Sequence, residues 1–159
     1  MKHLLAAAAL ALTLAGPAQA GDAAQERTAV LATVDRFFGA MTAHDAKTWS
    51  EIFVDDASTF TQGFQPDGSV KLRHGTIKDM IANLPSGPPM GERIWKPTVM
   101  VRGPMAVVWA PYEFKLDGKS HHCGIDVFDL VKVDGTWRMA NAMWTAEPKA
   151  CAELGAEKN

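Results

Sequence analysis

Four strand-like segments in the second half of the chain constrain the fold more than any other feature. They run from 93 to 102, 106 to 116, 119 to 133 and 136 to 146. Asp117-Gly118 and Asp134-Gly135 separate the last three, and both residues of an Asp-Gly pair tolerate positive φ, which favours a tight hairpin. We therefore predict an antiparallel meander.

The first half of the chain predicts helices instead. Val30, Val34 and Phe37 begin an apolar stripe at helical spacing, which indicates an amphipathic helix from Asp22 to about His44. Asp45 is placed to cap a second helix that runs to about residue 54.

Thr76 is placed to cap a third helix, whose apolar positions begin with Ile77. Between the second and third helices, the segments 57–64 and 70–73 predict a strand pair around a turn. Helices early and strands late predict an α+β fold, a curved antiparallel sheet packed on three helices.

The segment from 119 to 133 has apolar residues at both its odd and its even positions, which point to opposite faces of a strand. Both faces should therefore be covered. We expect one face to pack on the helices and the other to form a homodimer. Phe128 and Leu130 are assigned to the dimer face, so that Phe128→Asp would give a soluble monomer.

The first 20 residues have the pattern of an export signal, and the domain then spans residues 21–159. The apolar run from Leu4 to Leu14 is too short to cross a bilayer core of roughly 30 Å. Ala18-Gln19-Ala20 is typical of a cleavage site, so the mature chain should begin at Gly21 in the periplasm or outside the cell. A net charge of −2 without a lysine or arginine run argues against nucleic acid or, after cleavage, a membrane as partner.

Cys123 and Cys151 can form a disulfide in an exported chain. Pairing about the turn at Asp134-Gly135 puts Cys123 opposite roughly Ala146, and the chain beyond Pro148 must double back to bring Cys151 close. A reduced, buried Cys123 with a frayed Cys151 is the alternative.

The residues and the order of several motifs resemble those of the NTF2-like (SnoaL-like) superfamily, in particular of its small exported bacterial members. These motifs are Phe37-Phe38, Trp49-Ser50-Glu51-Ile52-Phe53 followed by Asp55-Asp56-Ala57, His74-Gly75, and Gly124-Ile125-Asp126-Val127-Phe128 running into Asp134-Gly135-Thr136-Trp137. The resemblance implies a cone with one internal pocket.

The enzymes of that superfamily provide a comparison of site residues. Where its ketosteroid isomerases have a tyrosine and a catalytic aspartate, this sequence matches Phe37 and Thr61, which can supply neither an oxyanion donor nor a base. Only Asp129, or Asp126 in a shifted register, matches an acid. The resemblance therefore does not imply that chemistry, and His122 and His74 remain the other candidates.

Two further observations concern ligands. Aromatic side chains are dense enough to line a pocket, namely Phe37, Trp49, Phe53, Trp95, Trp109, Tyr112 and Trp144. His121 and Cys123 share a strand face, but two ligands make a poor metal site, and we predict neither metal nor cofactor.

Three functional hypotheses follow. The first is an exported protein that binds a small, largely apolar molecule. The alternative is a cofactor-free lyase, isomerase or hydrolase that uses His122 or His74 with Asp126 or Asp129. The third is an interaction module that works only as a dimer through the open sheet face.

Overall fold

The structure, a computed structural model, describes residues 18–156, with side chains from residue 22. The predicted export signal and cleavage site lie almost entirely outside this range, so Gly21 as the mature N-terminus stays a prediction. Among the described residues, no helix is long and apolar enough to cross a membrane.

Three α-helices pack on one face of the sheet: α1 (Ala18–Ala43), α2 (Ala46–Ile52) and α3 (Ile77–Asn83). Both predicted caps are present. The Asp45 carboxylate accepts a hydrogen bond from the Thr48 backbone N–H at 3.0 Å, and the Thr76 hydroxyl oxygen accepts one from the Asp79 N–H at 3.2 Å. A 3₁₀ turn, Leu84–Ser86, follows α3.

Within residues 18–156, seven strands form one open sheet in the order β2-β1-β7-β6-β5-β3, with β4 paired to β5. Their bounds are β1 Phe53–Phe64, β2 Val70–Thr76, β3 Met90–Ile94, β4 Thr98–Arg102, β5 Met105–Leu116, β6 Lys119–Val133 and β7 Thr136–Ala146. The predicted α+β class, with a sheet on three helices, is confirmed.

The sheet differs from the prediction in one pairing. Strand β1 lies parallel to β7, with Thr59 opposite Ala142 and Thr61 opposite Trp144, so the sheet is mixed rather than purely antiparallel. Strands β2–β6 and helix α3 lie between these two strands in sequence, and such a long connection permits a parallel pair.

The single strand predicted from 93 to 102 is two strands. Lys96 has a positive φ of 46° and Pro97 lacks a backbone N–H, so the ladder breaks there. Arg27 of α1 fixes the break by donating hydrogen bonds to the carbonyl oxygens of Pro97 at 3.0 Å and Val99 at 3.1 Å. Because β3 begins at Met90, Glu92 belongs to the sheet.

The main core lies between the helices and the inner face of the sheet, the face that carries Phe128 and Leu130. These two side chains are only 1% and 0% exposed. Their assignment to a dimer face is therefore wrong. In the ladder Phe128 lies opposite Val108 and Ala142, which are buried in the same core. Phe128→Asp would place a charge in this core rather than release a monomer.

A disulfide joins Cys123 and Cys151, whose Cα atoms lie 5.0 Å apart. Cys123 forms a bridge with Glu147, one residue beyond the predicted register partner. The chain then doubles back, and the Ala150 N–H donates to the Glu147 carbonyl oxygen at 3.2 Å. The Trp95 indole N–H donates to the Leu154 carbonyl oxygen at 2.9 Å, so the tail has two attachments.

Replacing Cys151 with alanine should lower the free energy of unfolding by about 3 kcal/mol. The bridge restricts the conformations of the unfolded chain, and its loss would make unfolding entropically more favourable. Urea denaturation with and without a reductant measures the effect. The reductant should destabilise the native protein and leave Cys151→Ala unchanged. Equal stability of the oxidised native protein and the variant would contradict the prediction.

Candidate functional site

A cavity of about 440 Å³ lies between the helices and the inner face of the sheet. Six aromatic side chains contribute to its wall: Phe37, Trp49, Phe53, Phe114, Phe128 and Trp144. Met41, Met80 and Met90 also line it, and flexible thioether chains allow such a wall to adapt to the shape of a ligand.

Phe37 of α1 is the centre of the aromatic wall. Its ring stacks on Trp49 at 5.2 Å between centroids and meets the edges of Phe53 at 5.6 Å and Phe128 at 5.7 Å. The buried Trp49 indole N–H donates to the Phe37 carbonyl oxygen at 3.1 Å, which satisfies the donor and fixes α2 against α1. Ring packing and this hydrogen bond therefore hold this part of the cavity wall in place.

Three titratable side chains of the sheet, Glu92, His122 and Asp126, line the same cavity. The strand register explains how they meet. Glu92 of β3 lies opposite Phe114 of β5, which in turn lies opposite His122 of β6. Asp126 lies four residues further along β6 and so on the same face, because strand side chains alternate with a period of two.

The carboxyl groups of Glu92 and Asp126 lie close enough to influence each other's ionisation. Asp126 is 3% exposed, and its Oδ2 has no N–H or hydroxyl donor among the described residues. Burial raises the pKa of Glu92 to about 8. Burial, followed by the nearby Glu92 charge, raises the pKa of Asp126 well above its ordinary value. The pair therefore holds at least one proton at neutral pH.

His122 is uncharged at neutral pH, because burial, with a smaller contribution from His121, lowers its pKa to about 4. Its ring lies edge-on to Tyr112 at 5.6 Å and close to Phe114 at 5.1 Å. The β5–β6 register shifts beside His121, and this bulge turns its ring so that its Nδ1 lies 2.8 Å from His122 Nδ1. Of the two histidines, only His122 lines the cavity.

The other two catalytic candidates lie on the outer face of the sheet, away from the helices. His74 stacks on Phe60 at 4.7 Å. The Asp129 carboxylate accepts a hydrogen bond from the Asn141 side-chain amide at 3.1 Å. The four predicted candidates therefore divide into an inner pair, His122 and Asp126, and an outer pair, His74 and Asp129.

The predicted ligand-binding residues divide in a similar way. Phe37, Trp49, Phe53 and Trp144 line the cavity, whereas Trp109 is 45% exposed on the outer face. Trp95 holds the C-terminal tail. Tyr112 is fully buried, and its hydroxyl donates to the Thr145 carbonyl oxygen at 2.8 Å.

Tyr112 and Gly124 occupy opposite positions in the β5–β6 ladder. A Cβ atom at Gly124 would lie only 1.9 Å from the Thr145 carbonyl oxygen, the acceptor of the Tyr112 hydroxyl. The Thr145 hydroxyl in turn accepts a hydrogen bond from the Ile125 N–H at 2.9 Å. Glycine is therefore required for β6 and β7 to approach each other beside the cavity.

Within the part of the chain that the structure describes, the charged residues that line the cavity are acidic: Asp79, Glu92 and Asp126. Within the described range, no group of three or more His, Cys, Asp or Glu side chains is arranged to hold a metal ion. Cys123 is bonded to Cys151 and is not available as a ligand.

Residues 25–145 match a protein family described as "Putative lumazine-binding". The chain belongs to this family, which lies within the NTF2-like superfamily. The match begins in α1 and ends in β7, so it includes every helix and strand that surrounds the cavity. No characterised protein with a curated function matches this NTF2-like chain significantly.

Solved structures show the same fold. An NTF2-like protein of unknown function from Shewanella baltica is 20% identical, covers 79% of this chain and 97% of its own, and has a TM-score of 0.58. An NTF2-like protein with a cystatin-like fold from Novosphingobium aromaticivorans is 18% identical, covers 85% of this chain and 90% of its own, and has a TM-score of 0.65. An NTF2-like superfamily protein from Salmonella enterica is 14% identical, covers 86% of this chain and 99% of its own, and has a TM-score of 0.63. At these identities the likeness concerns the fold alone.

Sequence reasoning missed Glu92, because the strand was predicted to begin at Arg93. The alternation of Met90, Glu92 and Ile94 was the available signal, since one face of a strand carries every second residue. Two prolines at 88 and 89 precede this segment and favoured a loop.

Glu92→Gln should change how stability depends on pH. The folded protein keeps a proton on Glu92 up to about pH 8, whereas the unfolded chain releases it near the ordinary pKa of 4.5. The native protein should therefore lose stability as the pH rises between these values, and the variant should lose less. Thermal denaturation at pH 5 and pH 8 tests this, and parallel pH profiles of the two proteins would refute it.

Proposed function

We propose that this protein binds a small, flat, largely apolar molecule in its internal cavity. The observation that carries the proposal is the wall of six aromatic side chains around about 440 Å³. This volume lies within the usual range of ligand pockets, roughly 300–1,000 Å³. Burial of ring faces against Phe37, Trp49 and Trp144 would supply most of the affinity, since apolar area removed from water contributes about 25 cal/mol per Å².

The family description supports a heteroaromatic ligand, because it names lumazine, a flat bicyclic ring. A few polar groups at one part of an apolar wall fix the orientation of a ligand in such sites. Glu92, His122 and Asp126 are placed to do this.

We also propose that binding takes place outside the cytoplasm, after cleavage before Gly21. The N-terminal pattern supports export. The disulfide between Cys123 and Cys151 is compatible with an oxidising compartment such as the periplasm.

A cofactor-free lyase, isomerase or hydrolase is the second candidate. The observation in its favour is that His122 and Asp126 line one cavity and that Glu92 adds a second carboxyl. A neutral imidazole and a carboxyl pair that holds a proton can take up and return protons.

Calorimetric titration with lumazine and a panel of apolar metabolites tests the first candidate. We expect at least one saturable ligand. Met80→Trp, which adds two rings to the cavity wall, should weaken it by at least about tenfold, the effect of a lost 1.4 kcal/mol. Lys78→Trp on the exposed side of the same helix is the matched control. Absence of any saturable heat would contradict the proposal, and a chemically altered ligand recovered from the mixture would favour the enzyme.

The outer face supports a proposed homodimer. Among the described residues, six large apolar side chains are substantially exposed, and the register places them on this face: Phe64, Val70, Leu72, Met100, Met105 and Trp109. Ile125 and Val127 add to the apolar surface between them. Monomers rarely leave such a surface in water.

Charges on the same face favour a second copy as the partner. Asp129 of β6 and Arg138 of β7 are both outward, and Arg138 Nε is a buried atom without a hydrogen-bond acceptor among the described residues. A two-fold axis that passes between these two positions would bring each Arg138 to the opposite Asp129, so one patch could supply both charges of the contact.

Trp109→Glu should give a folded monomer, because Trp109 is half-exposed and lies opposite Val127 in the middle of this face. Light scattering at micromolar concentration should report a dimer for the native protein. Lys119→Glu, at the exposed end of β6, should remain dimeric. A monomeric native protein would remove the basis for both the dimer and the interaction module.

A further inference from the structure

Among the described residues, six polar side chains line the cavity, and three of them already make hydrogen bonds within α3 or at its N-cap. The Thr76 hydroxyl donates to the Asp79 carboxylate at 2.7 Å, and the Asn83 amide donates to the Asp79 carbonyl oxygen at 2.8 Å. The remaining three are Glu92, His122 and Asp126, all from the sheet. Recognition of a polar group in the cavity must therefore come mainly from the sheet.

Asp126 is the most deeply buried member of this set. It lies between Ala110 of β5 and Trp144 of β7 in the ladder, and 3% of its surface is exposed. Among the described residues, no cation and no N–H or hydroxyl donor compensates its Oδ2. The neighbouring titratable group with which it interacts is the Glu92 carboxyl. A buried carboxyl without compensation is costly, so its position requires another explanation than packing.

Two carboxyl groups in contact cannot both be ionised, and one proton between them leaves a hydroxyl donor beside an acceptor oxygen. The matching partner is a ring edge with an N–H next to an acceptor atom. Among the described residues, no lysine or arginine lines the cavity, so the charged groups that a phosphate or carboxylate on the ligand would meet there are acidic.

We infer that Glu92 and Asp126 together bind the edge of an uncharged planar heterocycle in which an N–H lies beside a hydrogen-bond acceptor. Trp144, next to Asp126 in the ladder, and Phe114, next to Glu92, flank the carboxyls and offer ring faces to the same molecule. The inference rests on the proposed small-molecule binding and adds the class of ligand and the residues that select it.

Three related probes test this by calorimetry near pH 6.5: lumazine, 1,3-dimethyllumazine and lumazine-6-carboxylate. Dimethyllumazine keeps the ring but has methyl groups in place of the N–H donors. We expect it to bind roughly 10- to 100-fold more weakly than lumazine, since each unmade hydrogen bond in a buried site costs about 1–3 kcal/mol. The carboxylate should show no measurable binding.

Substitutions at Asp126 separate hydrogen bonding from the added bulk of the methyl groups. Asp126→Asn retains a donor and an acceptor and should bind lumazine within a few-fold of the native protein. Asp126→Leu should bind lumazine at least about tenfold more weakly and lose the preference over dimethyllumazine. Asp129→Leu, on the outer face of the same strand, is the matched control and should keep the native preference.

The outcomes distinguish the inference from the function on which it rests. Saturable binding of lumazine and dimethyllumazine with equal affinity would overturn the inference and leave the cavity as a binding site. The same holds if only apolar compounds without such an edge bind. If no compound binds, both fail. Should Asp126→Leu not fold, the ligand comparison on the native protein and on Asp126→Asn still decides the matter.

Discussion

The packing of α1 against alternate side chains of β6 is the contact on which the other placements depend. The Phe37 ring of α1 touches Phe128 of β6 at 5.7 Å between centroids, and both are almost fully buried. Once Phe128 faces the helix, the period of two along a strand turns Asp126 and His122 inward and Asp129 outward. The chemistry of the cavity therefore follows from an apolar contact that contains no polar atom of its own.

This dependence explains which parts of the structure could be predicted from sequence. Helix spacing, caps and Asp-Gly turns are local signals, and they located three helices and the last three strands. When both faces of a strand are apolar, its own sequence does not show which face packs on the helices. Valine and isoleucine at one parity of β6 and Phe128 and Leu130 at the other look equally suited to a core. Contacts with the helices determine which face of β6 is buried, and the sequence of the strand does not encode those contacts. Phe128 was therefore assigned to the wrong face.

Glu92 and the β1–β7 pair were missed for related reasons. A glutamate in a segment that follows two prolines has an ordinary interpretation as a loop residue. Only the pairing of β3 with β5 brings it towards Asp126, which lies 34 positions later in the sequence. The parallel pairing of β1 with β7 likewise joins the first strand to the last. The acidic pair is thus a product of topology, and the positions that carry chemistry in related isomerases hold Phe37 and Thr61 here.

The absence of a side chain at Gly124 has a consequence for how this fold tolerates change. Even one methyl group there would push the Thr145 carbonyl away from the Tyr112 hydroxyl and widen the seam between the last two strands. Gly124 lies next to Cys123, whose disulfide holds the tail, and two residues from Asp126. Adding a single carbon at Gly124 would thus disturb two neighbouring features, the disulfide that holds the tail and the cavity wall at Asp126. Few surface substitutions would affect both.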